Sequence, residues 1–502
     1  MQRRIFWALL AGIVGTNFDV WAKTTMSNRI IQRAASVLLI VYGSSVSEIA
    51  IARPLSPIDG DESPLVTSPD APQRLPLERP STPAAGTRPA EGSADTRSVP
   101  PQFGVFGNLG GIRDVLWAHG IRLNMDYAYQ PATNVAGGDR TLVRGAGQFA
   151  ARGLFDFQRL LGLEGGSGGI TFTHREGRDV TLDAHLGTQT SVEEVFGRGR
   201  IWRLSQFWYD QKLSPWIDLK FGRLPTGDDF AGFSCEFQMN ALCAMPTGKI
   251  AGSYLYNFPV SQWATRLRLG TADSGYLQIG AYQVNPDNLA DGLSFDFSRG
   301  TGALILSEAA WFPKFGSLSL AGSYRVGGWY ETGGGNDVYL NTRWLPLAAY
   351  RGQPLHRGDR HGIYFVGVQE VYRPDPSNTT RNVAAFVRAV AGDEETSTYS
   401  AQVTSGFIYK GWCAERPNDW IGLGLGQTTP NPRAVDAIAM SNLFNRSNKR
   451  SPTQERFVEA FYSIDVAENI IIRPNIQYIT RRGSPEAKPD VVVLGLKSLI
   501  NF

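Results

Sequence analysis

The sequence has no uninterrupted apolar run long enough to cross a membrane as a helix. Such a helix needs about 20 consecutive apolar residues, so a bundle of membrane-spanning helices is excluded. The sequence also has almost no excess of either charge sign. It contains 49 Lys and Arg and 46 Asp and Glu, which gives a formal net charge of +3 over 502 residues. A nucleic-acid-binding protein usually carries a marked basic excess, so the composition predicts no nucleic-acid partner.

Groups that bind metals or catalyse reactions are scarce. Neither the five His nor the three Cys fall into HExxH or CxxC spacing, and the GLGLG run at 422–426 lacks the strand-turn-helix context of a nucleotide-binding loop. Glu193 and Glu194 are interpreted as solvated loop charges. The sequence therefore predicts no catalytic residue, metal or cofactor. An outer-membrane barrel hydrolase is kept as an alternative, to be tested by replacing His174 or His361.

The first hundred residues predict export rather than a folded domain. Residues 1–52 contain two overlapping segments with a basic start and a short apolar stretch, as in signal peptides. The second favours Met26 as the true start, because its small-residue site at Ala50-Ile51-Ala52 directly precedes a polar segment. Residues 53–101 contain 11 Pro in 49 positions and few aromatic or β-branched residues, which predicts a disordered periplasmic leader.

From about residue 117 the chain becomes a series of segments that alternate apolar and polar positions, with glycine (55 in the whole chain) between them. Period-two alternation indicates strands. In IRLNMDYAY, for example, Arg122, Asn124 and Asp126 oppose an apolar face. Sixteen such segments begin between residues 121 and 490 when DVYLNTRWL (337–345) is left in a loop; counting it gives seventeen. Residues 102–502 are therefore predicted to form an all-β fold. Because the number of strands is even, we expect a closed antiparallel transmembrane β-barrel of about 16 strands.

The alternation alone does not say whether the apolar faces meet lipid or each other, because an antiparallel sandwich also alternates. Two features favour lipid. The chain ends on the apolar face of its last strand at Phe502, and aromatic residues near strand ends predict an interfacial girdle: Tyr127, Tyr129, Trp202, Trp208, Trp311, Trp329, Tyr372, Tyr409, Trp412 and Trp420. A secreted, water-soluble β-sandwich binding module is kept as a second alternative.

Four segments carry a family pattern in a fixed order. They are LGGIRDVLWAHGIRLNMDY (109–127), LKFGRLPTGDDFAGFSCEFQMNALCAMP (219–246), YKGWCAERPNDWIGLGLG (409–426) and a closing pair, RFVEAFYSIDVAENIIIRPNIQYITRRG and VVVLGLKSLINF. Together they resemble the carbohydrate-selective porins of Gram-negative outer membranes, over roughly residues 109–502. The Pro-rich leader and a third cysteine, Cys413, depart from that family.

The resemblance implies a function and partners. A sixteen-stranded barrel in the outer membrane would allow passive diffusion of glucose and other mono- and oligosaccharides through a charged constriction. Its outer face would contact outer-membrane lipid, and the barrel-assembly machinery would read the terminal Phe502. The sequence leaves open whether the barrel is a monomer or a trimer.

The loop near the two paired cysteines is the first candidate site. Cys235 and Cys243 lie eight residues apart in an exported protein, where oxidising conditions permit a disulfide. The bond would stiffen the segment from Gly222 to Phe258, which in the family folds inward. Asp228 and Asp229 in this segment could accept hydrogen bonds from sugar hydroxyls; the alternative is that they are solvated loop charges.

Lumen-facing polar residues are the second candidate set. Sugar hydroxyls need donors and acceptors at a site that binds weakly enough to release its solute. Most members are expected to be wall residues, with a subset near mid-height forming the constriction. By alternation, the pore-lining candidates are Arg122, Arg152, Arg203, Asp218, Lys220, Arg266, Arg268, Glu308, Arg325, Gln369, Glu459, Arg473 and Gln477.

Overall fold

The computed structural model describes residues 104–502, apart from positions 198, 244, 246–249, 251–253, 272, 294, 448, 450 and 483–488. The predicted signal segments and the Pro-rich leader lie outside the described residues. The described strands are β1 (Ile121–Ala136), β2 (Val143–Asp156), β3 (Gly166–Gly177), β4 (Ile201–Ser214), β5 (Ile217–Leu224), β6 (Gln262–Thr271), β7 (Gly275–Val284), β8 (Gly302–Trp311), β9 (Lys314–Phe315), β10 (Leu320–Glu331), β11 (Gly335–Asn341), β12 (Pro354–Arg357), β13 (Arg360–Tyr372), β14 (Asn382–Gly392), β15 (Tyr399–Lys410), β16 (Trp420–Pro430), β17 (Gln454–Ala467), β18 (Ile470–Arg482) and β19 (Val491–Asn501).

Sixteen of these strands form one closed antiparallel sheet within the described part of the chain. Each barrel strand pairs with the next along the chain, and the sheet closes because β19 pairs with β1, with Ile500 opposite Tyr127. The other three are a two-residue extension, β9, and a separate hairpin, β11–β12, that contains most of DVYLNTRWL. The predicted barrel is confirmed, and the sandwich alternative is wrong because closure removes both sheet edges.

The described helices are short and belong to the segments that precede or connect the barrel strands, not to the wall itself. They are α1 (Ile112–Ala118), α2 (Phe157–Leu161), α3 (Val180–Asp183), α4 (Thr226–Asp229), α5 (Leu347–Tyr350) and α6 (Pro432–Asn445). The longest, α6, begins where Asn431 caps it by accepting from the Arg433 amide (2.9 Å) and Pro432 occupies the first turn. None of the helices in the described ranges is long and apolar enough to span a membrane.

The two ends of the barrel differ in connection length. Tight turns at 215–216 and 468–469 lie at the end that holds both β1's start and Phe502, whereas long loops at 178–200, 225–261, 332–359 and 431–453 lie at the other end. Outer-membrane barrels have short periplasmic turns and longer extracellular loops, which places the chain end at the periplasmic side.

Strand β7 shows the two faces of the wall. Leu277 and Ile279 point outward and are 62% and 50% exposed, whereas Gln278 points inward and is buried. Apolar side chains exposed along a barrel exterior fit contact with lipid. Buried apolar side chains also occur inside the barrel, where loop residues such as Phe230 and Phe237 pack against wall residues such as Phe461. The core therefore lies within the lumen.

Three aromatic residues predicted for the outer girdle face the lumen instead. Trp208 lies against Gly169, where a Cβ would come within 2.7 Å of the indole. Trp329 donates to the Tyr254 hydroxyl of an inward loop (2.9 Å), and Trp420 lies near the Arg473 guanidinium. Lys220 lies 4.8 Å over the Trp208 ring, so all three indoles have polar partners inside the barrel, and the expectation of a girdle position was wrong for them.

Gln369 was also assigned to the wrong face. Its register places it opposite Gly322, and its side chain accepts from the Tyr324 hydroxyl (2.7 Å) on the outward side. The inward positions of β13 are instead Val366 and Val368, both buried. They are apolar because a folded loop, not water, covers this part of the wall, so the rule that polar positions face the lumen fails there.

Candidate functional site

Two loops enter the lumen and contact each other. We call residues 178–200, between β3 and β4, the first inner loop, and residues 225–261, between β5 and β6, the second inner loop. The Glu194 amide donates to the Gln238 carbonyl (3.0 Å), and the Asn240 amide donates to the Ser191 carbonyl (3.1 Å). Both loops bury apolar side chains in the lumen, so together they narrow it.

Two wall glutamates hold the second inner loop by its backbone. Glu308 accepts from the Ala231 amide (2.7 Å) and from the Tyr276 and Tyr364 hydroxyls (2.8 Å each). Glu459 accepts from the amides of Gln238 and Met239 (2.7 Å each). Hydrogen bonds to a carboxylate are among the stronger protein hydrogen bonds. Both glutamates therefore position the loop, and these oxygens are already occupied.

Other candidates contact loop backbone in the same way. Arg473 donates to the Glu236 carbonyl (2.8 Å) and pairs with its carboxylate (2.8 Å), while Gln477 donates to the Val192 carbonyl (3.0 Å). Arg203 donates to the carbonyls of residues 289 and 290, in the loop between β7 and β8, at 2.7 and 3.0 Å. Alternation locates these residues on the lumen side, but only the folded loop shows which atoms they contact.

The two cysteines of the second inner loop are joined. Cys235 and Cys243 form a disulfide with 4.3 Å between their Cα atoms. Lys497, on β19, donates to the carbonyls of Cys235 and Phe237 (2.9 Å each) and to the Glu194 carboxylate (3.0 Å). This lysine therefore links the wall to both inner loops beside the disulfide.

A cluster of alternating charges lies on the wall formed by β4, β5 and β6. Arg266 contacts Asp210 at 2.9 Å, Asp218 by a shorter ion pair and Asp229 at 3.6 Å. Lys220 donates to Asp229 at 3.2 Å, and Arg268 lies 4.0 Å from the same carboxylate. We call Asp210, Asp218, Lys220, Asp229, Arg266 and Arg268 the paired cluster.

Helix α4 brings the loop acids to this wall. It begins after Pro225 and places Asp229 against Lys220 and Asp228 against Gln206, which donates to it. Asp228 and Asp229 are 3% exposed, so the solvated-charge alternative is wrong for both. The Asp218 and Asp210 side chains keep 18% and 10% exposure, so they are the least enclosed carboxylates of the paired cluster.

The remaining candidates lie apart from the paired cluster. Arg122 lies 4.7 Å over the Trp117 ring, and Arg152 pairs with Asp126. These contacts join α1, β1 and β2 on the periplasmic half of the wall. The structure therefore brings six predicted residues together (Asp218, Lys220, Asp228, Asp229, Arg266 and Arg268) and distributes the others along the wall or among the loop contacts.

Asp210 was missed because β4 contains an irregularity. The β3–β4 register shifts between Thr171 and Phe172, so Gln206 pairs with Thr171 and Leu204 with Phe172. A bulge inserts one residue and reverses the facing of every later position. Arg203 and Asp210 both face the lumen, although one residue number is odd and the other even. Strict alternation counted from Arg203 would instead place Asp210 and Trp208 on the lipid side.

The interpretation of Glu193 and Glu194 as solvated was also wrong. Both are 0% exposed. Glu194 accepts from Gln130 (2.6 Å), and Glu193 accepts from the Val180 amide (2.6 Å). Burial, and then the nearby Asp179 carboxylate, raises the pKa of Glu193 well above its ordinary value. The sequence offers only the two adjacent glutamates as a signal. Such a pair is common in exposed acidic loops, so burial cannot be predicted without the fold of this loop.

Comparison with known proteins gives the family. A profile of the carbohydrate-selective porin, OprB family, matches residues 141–502. The chain is 34% identical to Porin B of Pseudomonas aeruginosa over 409 residues, which covers 78% of this chain and 90% of that protein. The chain belongs to the carbohydrate-selective porin family. Its predicted family and outer-membrane location are confirmed.

Two further relatives agree with this membership. The putative porin QuiX of Acinetobacter baylyi is 31% identical over 420 residues, which covers 79% of this chain and 93% of that protein. The high-pH structure of Pseudomonas putida OprB superposes with a TM-score of 0.76 at 31% identity, covering 80% of this chain and 99% of that one. This porin is therefore a carbohydrate-selective channel of the Gram-negative outer membrane, and its family and fold indicate a channel rather than an enzyme.

Proposed function

We propose that this porin lets mono- and oligosaccharides diffuse passively along their concentration gradient, with selectivity set at the paired cluster and without catalytic activity. The observation that carries the proposal is the composition of the paired cluster, in which three cations contact three carboxylates on the lumen wall. Each cation is neutralised locally, so the cluster presents donors and acceptors with little net charge.

Such a surface suits a neutral solute with many hydroxyls. A sugar hydroxyl can donate to the Asp218 carboxylate and accept from a neighbouring guanidinium. Because both of these groups are ionised, they make stronger hydrogen bonds than neutral groups do. A permeating ion gains less from the paired cluster, because attractive and repulsive charges alternate there within a few ångströms. Binding remains weak because the cluster already satisfies most of its own groups, and weak binding permits exit.

The positions of two histidines support the absence of catalysis. His174 lies against the Trp202 ring at 4.3 Å on the outward face, and the His361 side chain is 61% exposed beside Asp359. Neither lies in the lumen beside the paired cluster. Loss of lipid or peptide cleavage on replacing either histidine would favour the hydrolase alternative; we expect no such cleavage by the wild type.

Contacts of the last residue, Phe502, bear on how the barrel is assembled. The Phe502 ring stacks on Phe106 (5.2 Å between centroids), and Arg113 donates to the Phe502 carbonyl (2.8 Å). We propose that the assembly machinery reads Phe502 before these contacts form, and that the apolar outward face then contacts outer-membrane lipid. Deletion of Phe502 should reduce the yield of folded barrel in the outer membrane.

The channel function is tested by planar-bilayer recording and liposome swelling with purified protein. We expect conductance steps that glucose reduces, and swelling faster for glucose than for a trisaccharide. Replacing Arg266 and Arg268 together by Ala should move the zero-current potential toward cation selectivity. Arg456, on the outward face of β17, provides the control Arg456→Ala. An unchanged potential in the double variant would contradict the role of the paired cluster.

A further inference from the structure

Two arginines on a different part of the lumen wall, strands β10 and β14, form a second group of cations. Arg325 on β10 lies opposite Val366 on β13, and Val366 lies opposite Arg388 on β14. All three side chains face the lumen at one level. Neighbouring strands are about 4.7–4.9 Å apart, so the two arginines flank Val366 with their backbones about 10 Å apart.

Arg388 is buried and makes no hydrogen bond to a side chain or backbone group among the described residues. It is 6% exposed, and its Nε and Nη1 atoms have no hydrogen-bond acceptor. One face of its guanidinium lies 4.6 Å from the Phe233 ring of the second inner loop. Thr404 lies directly opposite on β15, and its hydroxyl is also buried, with no hydrogen-bond partner in the described part of the chain. Paired side chains on one face of a sheet have Cβ atoms about 4.5–5.5 Å apart, so the two polar groups are neighbours on the lumen face.

Arg325 reaches the same loop. Its Nη1 atom donates to the Gly232 carbonyl (3.3 Å) and to the Ser323 hydroxyl (2.8 Å), while its Nε has no partner. Neither arginine forms an ion pair with the described residues. Glu308 is the acid fixed in this region, and both its carboxylate oxygens are occupied by Tyr276, Tyr364, Gln278 and the Ala231 amide.

A buried cation without a carboxylate is unfavourable unless a ligand neutralises it. The planar guanidinium matches a carboxylate through two parallel hydrogen bonds. We propose that Arg388 and Thr404, with Arg325 beside them, form a subsite for the carboxylate of a sugar acid passing through this porin. The Phe233 ring covers one guanidinium face, and Nε and Nη1 are buried, so the ligand approaches Arg388 at its third nitrogen, Nη2. The proposal rests on the channel function but not on the paired cluster.

Single-channel recordings with gluconate and glucose test the subsite. We expect gluconate to interrupt the wild-type current at a lower half-saturating concentration than glucose. Arg388→Met should raise the gluconate value about ten-fold, the loss expected for one charge-assisted hydrogen-bonded contact, and leave the glucose value unchanged. Thr404→Val should show a smaller rise, and Arg388→Lys should restore part of the effect.

The control is Lys212→Met, which removes the same charge from an exposed lumen-side position of β4. A gluconate value within two-fold of wild type in Arg388→Met, or an equal shift in Lys212→Met, would overturn the subsite. A stronger dependence on Arg388 for glucose 6-phosphate than for gluconate would overturn the carboxylate assignment. Heat-modifiable gel migration verifies folding, and Thr404→Val tests the site if Arg388→Met does not fold. Failure of glucose to permeate wild type would instead contradict the channel function.

Discussion

The two walls of this lumen hold the same kind of residue in opposite surroundings. Arg266 contacts three aspartates at the β4–β6 wall, whereas Arg388 on β14 lies against an aromatic ring and opposite Thr404, with no acid as an ion-pair partner among the described residues. Both are nearly inaccessible to solvent. The difference shows that the number of lumen-facing arginines does not determine what a channel binds; the partner of each arginine does.

One loop creates this difference within five residues. At Asp229 the second inner loop supplies a carboxylate to the β5–β6 wall, and at Gly232 and Phe233 it supplies only a carbonyl and a ring to the β10–β14 wall. The first wall is nearly neutral and suits hydroxyls. The second retains positive charge and suits an anionic group, so one constriction can contain two kinds of subsite.

The largest expected effect comes from making the first wall resemble the second. Asp229→Ala removes the carboxylate shared by Lys220, Arg266 and Arg268. Breaking a buried ion pair from one side costs about 3–5 kcal/mol, because the remaining charge stays buried without compensation. We expect the free energy of unfolding in detergent to fall by about that amount and the zero-current potential to move toward anion selectivity.

Urea unfolding followed by tryptophan fluorescence measures the first change, and a KCl gradient across a planar bilayer measures the second. Asp296→Ala is the control, since Asp296 lies in an exposed loop beside Arg299. If both variants unfold at the same urea concentration, the paired cluster does not contribute to stability as argued.

The disulfide closes a part of the second inner loop that lies beyond the residues serving the two walls. Replacing Cys235 and Cys243 by Ser should loosen residues 235–243, which the wall contacts still hold in part, while Asp229 stays anchored by Lys220. Disulfides typically contribute about 2–4 kcal/mol, with short loops at the lower end. We expect a loss of about 2 kcal/mol in unfolding free energy and larger current fluctuations, with ion selectivity preserved. Cys413→Ser, at a cysteine outside the disulfide, should change neither; a loss of selectivity in the double variant would contradict this division.

The converse substitution gives the second wall an acid. Val366→Glu places a carboxylate between Arg325 and Arg388, at a position 1% exposed to solvent. The new ion pairs should compete with a bound carboxylate and raise the half-saturating gluconate concentration about ten-fold. Val366→Gln has the same size without the charge and should remain within two-fold of wild type. Equal values for Glu and Gln would show that volume, not charge, produced the effect.

Much of the fold follows from local alternation. Each apolar face along β1, β6 or β19 has a polar face opposite it, and hydrocarbon outside a barrel enforces this separation at every residue. Closure of sixteen strands was therefore predictable. Parity failed where a second influence entered: the bulge in β4 reversed the facing of Asp210 and Trp208, and the loop covering β13 made Val366 and Val368 inward although apolar.

The site was less predictable because contacts across the lumen do not follow sequence distance. Asp229 and Lys220 are near in sequence, but Glu459 meets the Gln238 amide from 221 positions away. Alternation identified Glu459 as lumen-facing and could not distinguish a sugar contact from a loop support. That distinction depends on which backbone amides the folded loop presents, and no local pattern records it.

The smallest expected effect concerns pH and the contact between the two inner loops. Burial, together with the Asp179 carboxylate, raises the pKa of Glu193, and burial raises the pKa of Asp179. Below the ordinary carboxyl pKa of about 4.3, Glu193 is protonated whether the first inner loop is packed or free. As pH rises above that value, the packed loop must keep a proton or bury a charge, so its packed state loses stability.

Because this loop bonds to Gln238 and Asn240, high pH should loosen the part of the second inner loop beyond Phe233 and leave the paired cluster intact. We expect current fluctuations to increase as pH rises above about 4.3, the ordinary carboxyl pKa, without a change in ion selectivity. Glu193→Gln retains an acceptor for the Val180 amide and should remove most of this dependence, whereas Glu394→Gln, at an exposed loop position, should not. If the current fluctuations of the wild type, Glu193→Gln and Glu394→Gln depended equally on pH, the titrating group would lie elsewhere. The pH effect would then give no distinction between the two walls.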